Sequence, residues 1–513
     1  MPRWTADQTL AIVRPQMPHA VPSLRIRAVN DRPLRPDGDY VLHWMIAARR
    51  TRSNFALDRA VELARELGRP LLVFEALRCG YRWASDRLHA FVLQGMADNA
   101  ADCERHGVAY LSYVEPQEGA GRGLLAALAT RACAVVTDDW PCGFVPHMVE
   151  AAGRALPVRL EAVDGNGLLP LAAGEKAFGR AYDFRRHLQK HLPGHLAAAP
   201  TKSPLARLRG MPRATPPTAV TQRWLSKSGS LDALHRLPID HRVAPSPVLH
   251  GGARAGHATL ARFVDERLAR YAEERSHPDA DAQSDLSPWL HFGHVGVHEV
   301  LDAVTAPEDW SPARIASTTS GAKEGWWGAS TNVEAFLDEL VTWRELGFNV
   351  CHHRPDEYDR YESLPGWARA SLELHGADPR PRRHTLEELA DAATADPVWN
   401  AAQTQLREEG RLHNYLRMLW GKRVLEWTGS AREALELLVE LNNRYAVDGR
   451  DPNSYSGIFW CLGRFDRPWA PERPIFGVIR YMSSANTLRK LRMKGYLARY
   501  TRAPRQATLP GMT

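Results

Sequence analysis

The apolar residues of this 513-residue chain follow two different periods, and the change from one to the other constrains the fold more than any other feature. Between residues 40 and 163, short apolar runs alternate with stretches in which apolar residues recur at helical spacing. The runs are Tyr40–Met45, Pro70–Phe74, Ala109–Val114, Ala134–Asp138 and Pro157–Val163. Strands that alternate with helices predict a parallel sheet with helices on both faces. No GxGxxG motif follows the first run, so a Rossmann-type dinucleotide site has no support there.

The rest of the chain is almost wholly helical in its pattern, from about residue 250 to residue 500. Helical spacing is clear over residues 331–347, 405–427 and 431–445. Ahead of this part, a helical stretch is followed by polar, proline-rich sequence, which is typical of a linker. Five prolines between residues 15 and 36 predict an irregular leader. The predicted organisation is a leader (1–36), a Rossmann-like α/β domain (37–165), a long linker (166–240), an all-helical domain (241–505) and a tail (506–513).

Composition narrows the class of protein. The formal net charge of +7 and the isoelectric point of about 9.1 fit a polyanionic partner without identifying it. Sixteen tryptophans can pack in a core, stack on bases or carry electrons, and only their placement decides. The six cysteines form no CxxC pair, so we expect reduced thiols and no bound metal. No apolar run is long enough for a signal peptide or a membrane span, so we expect a cytoplasmic protein.

The densest motif lies over residues 410–427, which contain no proline and are predicted to form one helix. Arg417, Trp420 and Trp427 share one side of that helix, and Asn414 and Met418 lie one step around from it. One helix can therefore present a cation and two indoles together. The more common explanation of such an aromatic stripe is core packing.

Two further segments place polar groups beside apolar helices. Ser284 and Ser287 precede a helix with Pro288 at its start, where free backbone N–H groups either bind phosphate or form only an N-cap. Residues 442–453 form a polar, turn-rich segment between apolar helices, which is either a binding site or a solvated turn.

A carboxylate and an indole lie close together on a fourth segment. Glu339 and Trp343 are four residues apart and share a helical face. The pair is either part of a pocket or a solvated carboxylate beside a surface indole.

Together these segments resemble the class II cyclobutane pyrimidine dimer photolyases of the photolyase/cryptochrome family. Five motifs of that class occur in order along the chain. They are matched by Trp399–Gln403, His413–Trp427, Asp448–Asn453, Glu472–Gly477 and Ile479–Ser483. The similarity extends from Tyr40 to about Tyr500. It implies that the all-helical domain binds FAD.

The resemblance also implies roles for individual residues. The positions that hold the flavin phosphates and ribityl chain are matched by Tyr271, Ser284, Leu286 and Ser287. The groups set against the flavin ring are matched by Arg417, Asn442 and Asp448, with the asparagine facing N5. The tryptophans that pass an electron from the surface are matched by Trp420, Trp399 and Trp427. The pocket for the dimer is matched by Glu339, Trp343, Asn414, Met418, Trp460 and Trp469.

The activity that the resemblance implies is light-dependent DNA repair. Reduced FAD, excited by blue or near-ultraviolet light, donates an electron to a dimer that is flipped out of the duplex and recovers it after the ring splits. We expect a monomer whose partner is DNA that contains cyclobutane pyrimidine dimers. A deazaflavin or a folate could serve as an antenna chromophore, and the sequence has no reliable motif for either.

Other functions fit part of the pattern. A cryptochrome-like light sensor would bind the same flavin without repair, and a plain nucleic-acid-binding protein would need no flavin. Repair of (6-4) photoproducts uses histidines, but we interpret His352 and His353, near the Glu339 helix, as structural. The segment Gly325–Gly328 is not typical of the class and could reshape the rim of the substrate pocket.

Overall fold

The computed structural model describes residues 21–501, and one six-stranded sheet lies in the N-terminal part of them. The strands are β1 (Ile26–Ala28), β2 (Tyr40–Met45), β3 (Leu71–Leu77), β4 (Ala109–Val114), β5 (Ala132–Asp138) and β6 (Leu160–Val163). Their order is β1-β6-β5-β2-β3-β4, and every neighbouring pair is parallel except β1 with β6. The predicted parallel sheet is therefore confirmed.

Helices cover both faces of the sheet. They are α1 (Phe55–Leu67), α2 (Asp86–Arg105), α3 (Leu124–Ala129) and α4 (Val145–Ala155). Every residue of the central strands β2 and β5 is buried, as expected when both faces are covered. Local sequence sets the helix ends: the Asn54 side chain accepts hydrogen bonds from the first turn of α1, and Gly68, at φ 63°, ends that helix.

The predicted irregular leader is wrong for its last part. Residues 26–28 form β1 at the edge of the sheet, antiparallel to β6. Arg25, just before β1, is buried and donates hydrogen bonds to the carbonyl oxygens of Asp164, Gly167 and Leu168. A three-residue edge strand is too short to show an apolar period, which is why the sequence did not reveal it. Residues 1–20 and 502–513, including the predicted tail, lie outside the described residues.

The predicted linker is more than a surface connection. It contains α5 (Ala181–His191) and α6 (Thr218–Arg223). Phe184 of α5 is buried in the core of the helical domain, and Arg185 forms a bidentate ion pair with Asp338 of that domain, with N–O distances of 2.7 and 3.0 Å. Trp224, just after α6, is buried against the α/β domain. The segment therefore joins the two cores.

The C-terminal part is built from helices, as predicted. They are α7 (Ala253–Arg262), α8 (Tyr271–Glu274), α9 (Ser287–His291), α10 (Val297–Thr305), α11 (Thr331–Leu337), α12 (Arg344–His353), α13 (Gly366–Leu374), α14 (Leu386–Ala390), α15 (Pro397–Glu409), α16 (Asn414–Trp427), α17 (Ala431–Tyr445), α18 (Pro452–Trp460), α19 (Ser484–Lys490) and α20 (Lys494–Tyr500). Their apolar side chains form one continuous core.

Two helices depart from the predicted pattern. The helical spacing over 405–427 is divided between two helices, because Gly410 at φ 76° ends α15 and α16 begins only at Asn414. The single helix predicted over 410–427 is therefore wrong for its first four residues. Glycine adopts this left-handed conformation without strain and commonly ends a helix. The helix predicted over 331–347 does continue from α11 into α12, but through a π-helical turn at Asp338–Trp343. Such turns are frequent at functional sites.

Three simple features of the described chain bear on its class. No helix between residues 21 and 501 has both the length and the apolar character needed to cross a bilayer. Over the same residues, no three histidine, cysteine or acidic side chains are grouped as a metal site would need. The six cysteines are all buried, and each is a free thiol.

Candidate active site

A cavity of about 1480 Å³ opens in the helical domain, beside α9, the π-helical turn, α16 and α18. It exceeds the roughly 300–1,000 Å³ of a typical small-molecule pocket, so it can hold a dinucleotide-sized ligand and a second molecule together. The predicted site residues in its walls are Tyr271, Ser284, Leu286, Ser287, Glu339, Trp343, Asn414, Arg417, Met418, Asp448, Trp460 and Trp469. The predicted residues that are not in its walls are Asn442, Trp399, Trp420 and Trp427.

An ion pair between Arg417 and Asp448 lies in the wall of the cavity. Nη2 of Arg417 is 3.1 Å from Oδ2 of Asp448, and Ser287 Oγ donates a hydrogen bond of 2.7 Å to the same oxygen. Burial acts to raise the pKa of Asp448, but Arg417 and Ser287 together outweigh it and hold the pKa below its ordinary value. Asp448 is therefore ionised at neutral pH. Nε and Nη1 of Arg417 donate no hydrogen bond to residues 21–501, so these donors remain for a ligand.

Asn442 lies behind the wall of the cavity rather than on its surface. Its Nδ2 donates hydrogen bonds to Ser454 Oγ at 2.7 Å and to Asn443 Oδ1 at 3.3 Å, and the side chain is buried. Ser454, which no sequence motif had indicated, does line the cavity. The structure thus brings Asn442 to the same end of α17 as Asp448 but leaves its contact with a flavin ring as a prediction.

Glu339 faces the cavity from the π-helical turn and forms an ion pair with Arg275, with Oε1 and Nη1 2.6 Å apart. Burial raises the pKa of Glu339 above its ordinary value, although the charge of Arg275 opposes the shift. The Arg275 guanidinium carbon also lies 5.3 Å from the ring centre of Tyr271. No motif in the sequence pointed to Arg275. The signal that could have found it is its position one helical turn after Tyr271.

Tryptophan rings on another side of the cavity are contacted by cations. The Arg480 guanidinium carbon lies 5.4 Å from the ring centre of Trp460 and 4.1 Å from that of Trp469. Cation–π contacts of this kind restrain the planes of the rings. Trp343 and Met418 add further apolar surface to the same cavity. The cavity therefore offers flat apolar faces as well as charged groups.

The three tryptophans predicted to carry electrons form a continuous row, although they lie on two helices. The ring centres of Trp399 and Trp420 are 6.3 Å apart with nearly parallel planes, and those of Trp399 and Trp427 are 5.4 Å apart. Trp399 Nε1 donates to the Trp420 carbonyl at 3.0 Å, which fixes the first pair. Trp427 is only 4% exposed, because the His384 ring lies 5.1 Å away and Arg423 packs over it. The predicted surface end of the row is therefore screened.

Basic side chains in the walls of the cavity include several without an acidic partner. Arg473, Arg489 and Lys490 are exposed and form no ion pair with residues 21–501. Arg411, by contrast, is held by Asp285 and Glu409. Free cations at the opening of a cavity suit a phosphate backbone, because each one can contact a phosphate without first breaking an ion pair.

The segment Gly325–Gly328 is not part of the wall of the cavity. Trp326 and Trp327 are buried, and Trp310 Nε1 donates to the Trp327 carbonyl at 2.6 Å. The Glu334 carboxylate accepts hydrogen bonds from the N–H groups of Gly325 and Gly328. None of these four residues lines the cavity, and the segment packs against the start of α11, so an effect on the substrate rim stays a prediction.

The two adjacent histidines at the end of α12 also lie outside the cavity. The rings of His352 and His353 contact each other with centres 4.9 Å apart. Burial, followed by the charge of His352, lowers the pKa of His353. A position outside the cavity agrees with their interpretation as structural residues.

Comparisons with known proteins assign the chain to a family. The deoxyribodipyrimidine photo-lyase of Methanothermobacter thermautotrophicus is 32% identical over 476 residues, which are 93% of this chain and 97% of that protein. The chain belongs to the deoxyribodipyrimidine photo-lyase family. The photo-lyase of Potorous tridactylus is also 32% identical, over 91% of this chain and 82% of its own. A class III photolyase from Agrobacterium tumefaciens shares the fold, with a TM-score of 0.65 at 19% identity over 90% of this chain and 86% of the other. No protein-family model matches the chain.

Membership of the photo-lyase family implies a flavin cofactor, and the cavity fits one in size and chemistry. The unused donors of Arg417 suit the negative charge of a reduced flavin ring, and the ionised Asp448 fixes the guanidinium that carries them. The hydroxyl of Ser284, which also lines the cavity, is available to a phosphate or ribityl oxygen.

Replacing Asp448 with asparagine is expected to weaken flavin binding about tenfold, equivalent to about 1.4 kcal/mol. The neutral amide no longer holds Arg417 by charge, so the guanidinium loses its fixed direction. The measurement is the flavin dissociation constant, from quenching of flavin fluorescence. Asp391→Asn, which removes an exposed partner of Arg407 outside the cavity, is the matched control and should bind as the unmodified chain does. Equal affinity in D448N would contradict the role given to this ion pair.

Proposed function

We propose that this photo-lyase repairs cyclobutane pyrimidine dimers in DNA with blue or near-ultraviolet light. The observation that carries the proposal is one cavity whose walls contain both the Arg417–Asp448 pair and the Glu339, Trp343 and Trp460 side chains. A cofactor at the first group and a lesion at the second would share one space. When bound, reduced FAD supplies the photoexcited electron that splits the cyclobutane ring.

The chain's own residues bind and orient the lesion. A dimer stacks and pairs poorly, so extruding it from the duplex costs less than extruding intact bases. Trp343, Trp460 and Met418 supply apolar surface on which the extruded bases pack. Glu339 accepts hydrogen bonds from the pyrimidine N–H edge, and Arg275 holds the Glu339 carboxylate in place until the lesion arrives.

The exposed cations at the opening hold the DNA around the lesion. Arg473, Arg489 and Lys490 contact phosphates on either side of the extruded bases, which makes binding sensitive to salt. These contacts position the strand without reading its sequence. Selectivity for damage then comes from the cavity, which only an extruded pair of bases can enter.

Finer features of the proposal rest on the sequence motifs. We assign the chain to class II because five motifs of that class occur in order between Trp399 and Ser483. We further propose that the active form is a monomer that holds FAD in the reduced state. Because its substrate is DNA, we place it in the cytoplasm, associated with the nucleoid.

An antenna chromophore, a deazaflavin or a folate, remains part of the proposal. Near the carboxyl ends of β2 and β5, where parallel sheets commonly bind ligands, a space of only about 20 Å³ is left. A second cavity, of about 610 Å³, lies beside the end of β3 and is lined by Tyr81, Trp83 and Arg444 among others. If the chain carries an antenna, we place it in this second cavity. The absorption spectrum of the purified protein shows whether a second chromophore is present.

The test is illumination of the purified, flavin-loaded and chemically reduced protein with an oligonucleotide that contains one thymine dimer. Recovery of the ultraviolet absorbance of the two thymines in light, and not in darkness, is the expected result. Bound flavin without recovery would contradict repair and favour a cryptochrome-like sensor. Protein that cannot be loaded with flavin would favour a plain nucleic-acid-binding protein.

Replacing Glu339 with glutamine is expected to slow repair about tenfold, equivalent to about 1.4 kcal/mol in activation free energy. The amide presents only one acceptor oxygen to the base edge and has lost the charge that pairs with Arg275. The rate of dimer loss at saturating DNA is measured together with flavin content, which should not change. Glu362→Gln, at an exposed pair with Arg432, is the control. An unchanged rate in E339Q would show that Glu339 does not contact the lesion.

A further inference from the structure

Lys422 is a buried cation next to the proposed lesion pocket. It lies on α16, one helical turn after Met418, and its side chain has no exposed surface. Nζ donates one hydrogen bond, of 2.7 Å, to the carbonyl oxygen of Cys461. Within residues 21–501 the ammonium forms no ion pair with a carboxylate. A buried charge without a paired charge is costly to the fold, and a methionine of similar length would avoid that cost.

The ammonium group is directed at a ring that lines the cavity. Nζ of Lys422 lies 5.0 Å from the ring centre of Trp460. Arg480 contacts the same indole, but its side chain is partly exposed, whereas Lys422 is shielded from water. A cation that is shielded from water acts more strongly on an adjacent ring and on whatever stacks on that ring.

The charge state of Lys422 depends on a small set of neighbours. Burial lowers the pKa of Lys422 from 10.5 to about 8. The Cys461 thiol and the Asp466 carboxylate oppose this shift, and the charge of Arg480 adds to it. On the same helix, Arg417 acts on the Cys461 thiol, whose pKa burial raises to about 11. Lys422 is therefore mostly charged at pH 7, and it loses its proton as the pH rises through about 8.

We propose that Lys422 is a positioning residue for repair, which restrains the Trp460 indole and places a positive charge behind the lesion stacked on it. This inference rests on the proposed function. The lesion becomes negative when it receives the electron. A fixed cation one ring away, in surroundings of low dielectric constant, favours that state and delays return of the electron before the ring has opened. Lys422 touches neither lesion nor cofactor and acts through Trp460.

The experiment compares the unmodified protein with Lys422→Met and Lys422→Arg, and with Lys202→Met, at an exposed lysine far from the cavity, as the control. Two quantities are measured on each flavin-loaded protein at pH values on both sides of 8: the dark affinity for a dimer-containing oligonucleotide and the repair quantum yield at saturating DNA. Arginine keeps its charge over this range, since its pKa lies above about 12.

We expect the quantum yield of the unmodified protein to fall about threefold as the pH passes 8. Lys422 then loses its charge, and in surroundings of low dielectric constant this loss favours return of the electron over opening of the ring. K422M should show the low yield at every pH and weaker dark binding, and K422R the high yield at every pH. If Lys422 had a purely structural role, K422M would be less or more stable to heat, but the quantum yield of the unmodified protein would not depend on pH. K422R and the unmodified protein would then have the same pH profile.

A pH-independent yield in the unmodified protein, or a K422M yield equal to it, would overturn the inference while leaving repair intact. Absence of repair in the unmodified protein at every pH would instead reject the proposed function, and the inference with it. If K422M does not fold, the pH profiles of the unmodified protein and of K422R still decide.

Discussion

Phenylalanine in place of Trp399 is expected to slow light-driven reduction of the bound flavin about 100-fold or more, equivalent to about 2.7 kcal/mol in activation free energy. Trp399 is the middle ring of the row and the contact between Trp420 and Trp427 runs through it. Phenylalanine is much harder to oxidise than tryptophan, so an electron arriving from Trp427 has no intermediate site. The measurement is the loss of visible flavin absorbance in blue light with an external reductant.

The same variant separates photoreduction from repair. W399F protein that has been reduced chemically should repair dimers at the unmodified rate, because the role predicted for the row of tryptophans is only to reduce the flavin. Trp326→Phe is the matched control, since Trp326 is also buried but lies outside the row and the cavity. Rapid photoreduction in W399F would show that electrons reach the flavin by another path.

The tryptophan row shows what the sequence could and could not reveal about the site. The spacing of Trp420 and Trp427 on one helix is visible in the sequence, but the two rings do not contact each other directly in the row. Trp399, from α15, lies between them, and only the packing of α15 on α16 places it there. The resemblance named Trp399, whereas helical periodicity alone could not have paired residues from two helices.

Charged partners were the least predictable part of the site. Arg275 and Lys422 act through neighbours that are distant in sequence, Glu339 and Trp460. Periodicity detects apolar faces, because burial selects hydrophobic residues at a regular spacing. It carries no signal for one buried lysine, whose partner is decided by the angle at which two helices cross.

Strands and helices could be predicted where their apolar patterns are long, and could not be predicted where these patterns are short. The strands β2 and β4 occupy the residues that their apolar runs predicted. The end of α15 was missed, because glycine within a helical pattern is tolerated often enough that Gly410 alone does not signal a break. The break between α15 and α16 is also supported by Arg87, from α2 of the α/β domain, which packs against the Gly410 turn. Such a contact between domains leaves no local pattern in the sequence.

Replacing Arg87 with methionine is expected to lower the free energy of unfolding by about 4 kcal/mol, because several buried carbonyl groups lose their donor at once. The Arg87 guanidinium donates to the carbonyl oxygens of Leu406 at 3.2 Å and Arg407 at 2.7 Å at the end of α15, and of Tyr445 at 2.8 Å at the end of α17. These are the helix ends that carry partial negative charge. Burial lowers the pKa of Arg87 to about 10, so the cation persists at neutral pH.

The effect should extend from stability to the active site, and urea unfolding followed by both tryptophan fluorescence and flavin release would measure it. Arg87 fixes the turn at Gly410 from which α16 starts, and α16 carries Arg417 into the cavity. R87M should therefore release flavin at a lower urea concentration than it loses its fold. Arg105→Met, at an exposed arginine on the same helix, should change the unfolding free energy by less than about 0.5 kcal/mol. Unchanged stability in R87M would mean that the two domains hold together without the hydrogen bonds of Arg87. It would also mean that α16 is positioned by the helical domain alone.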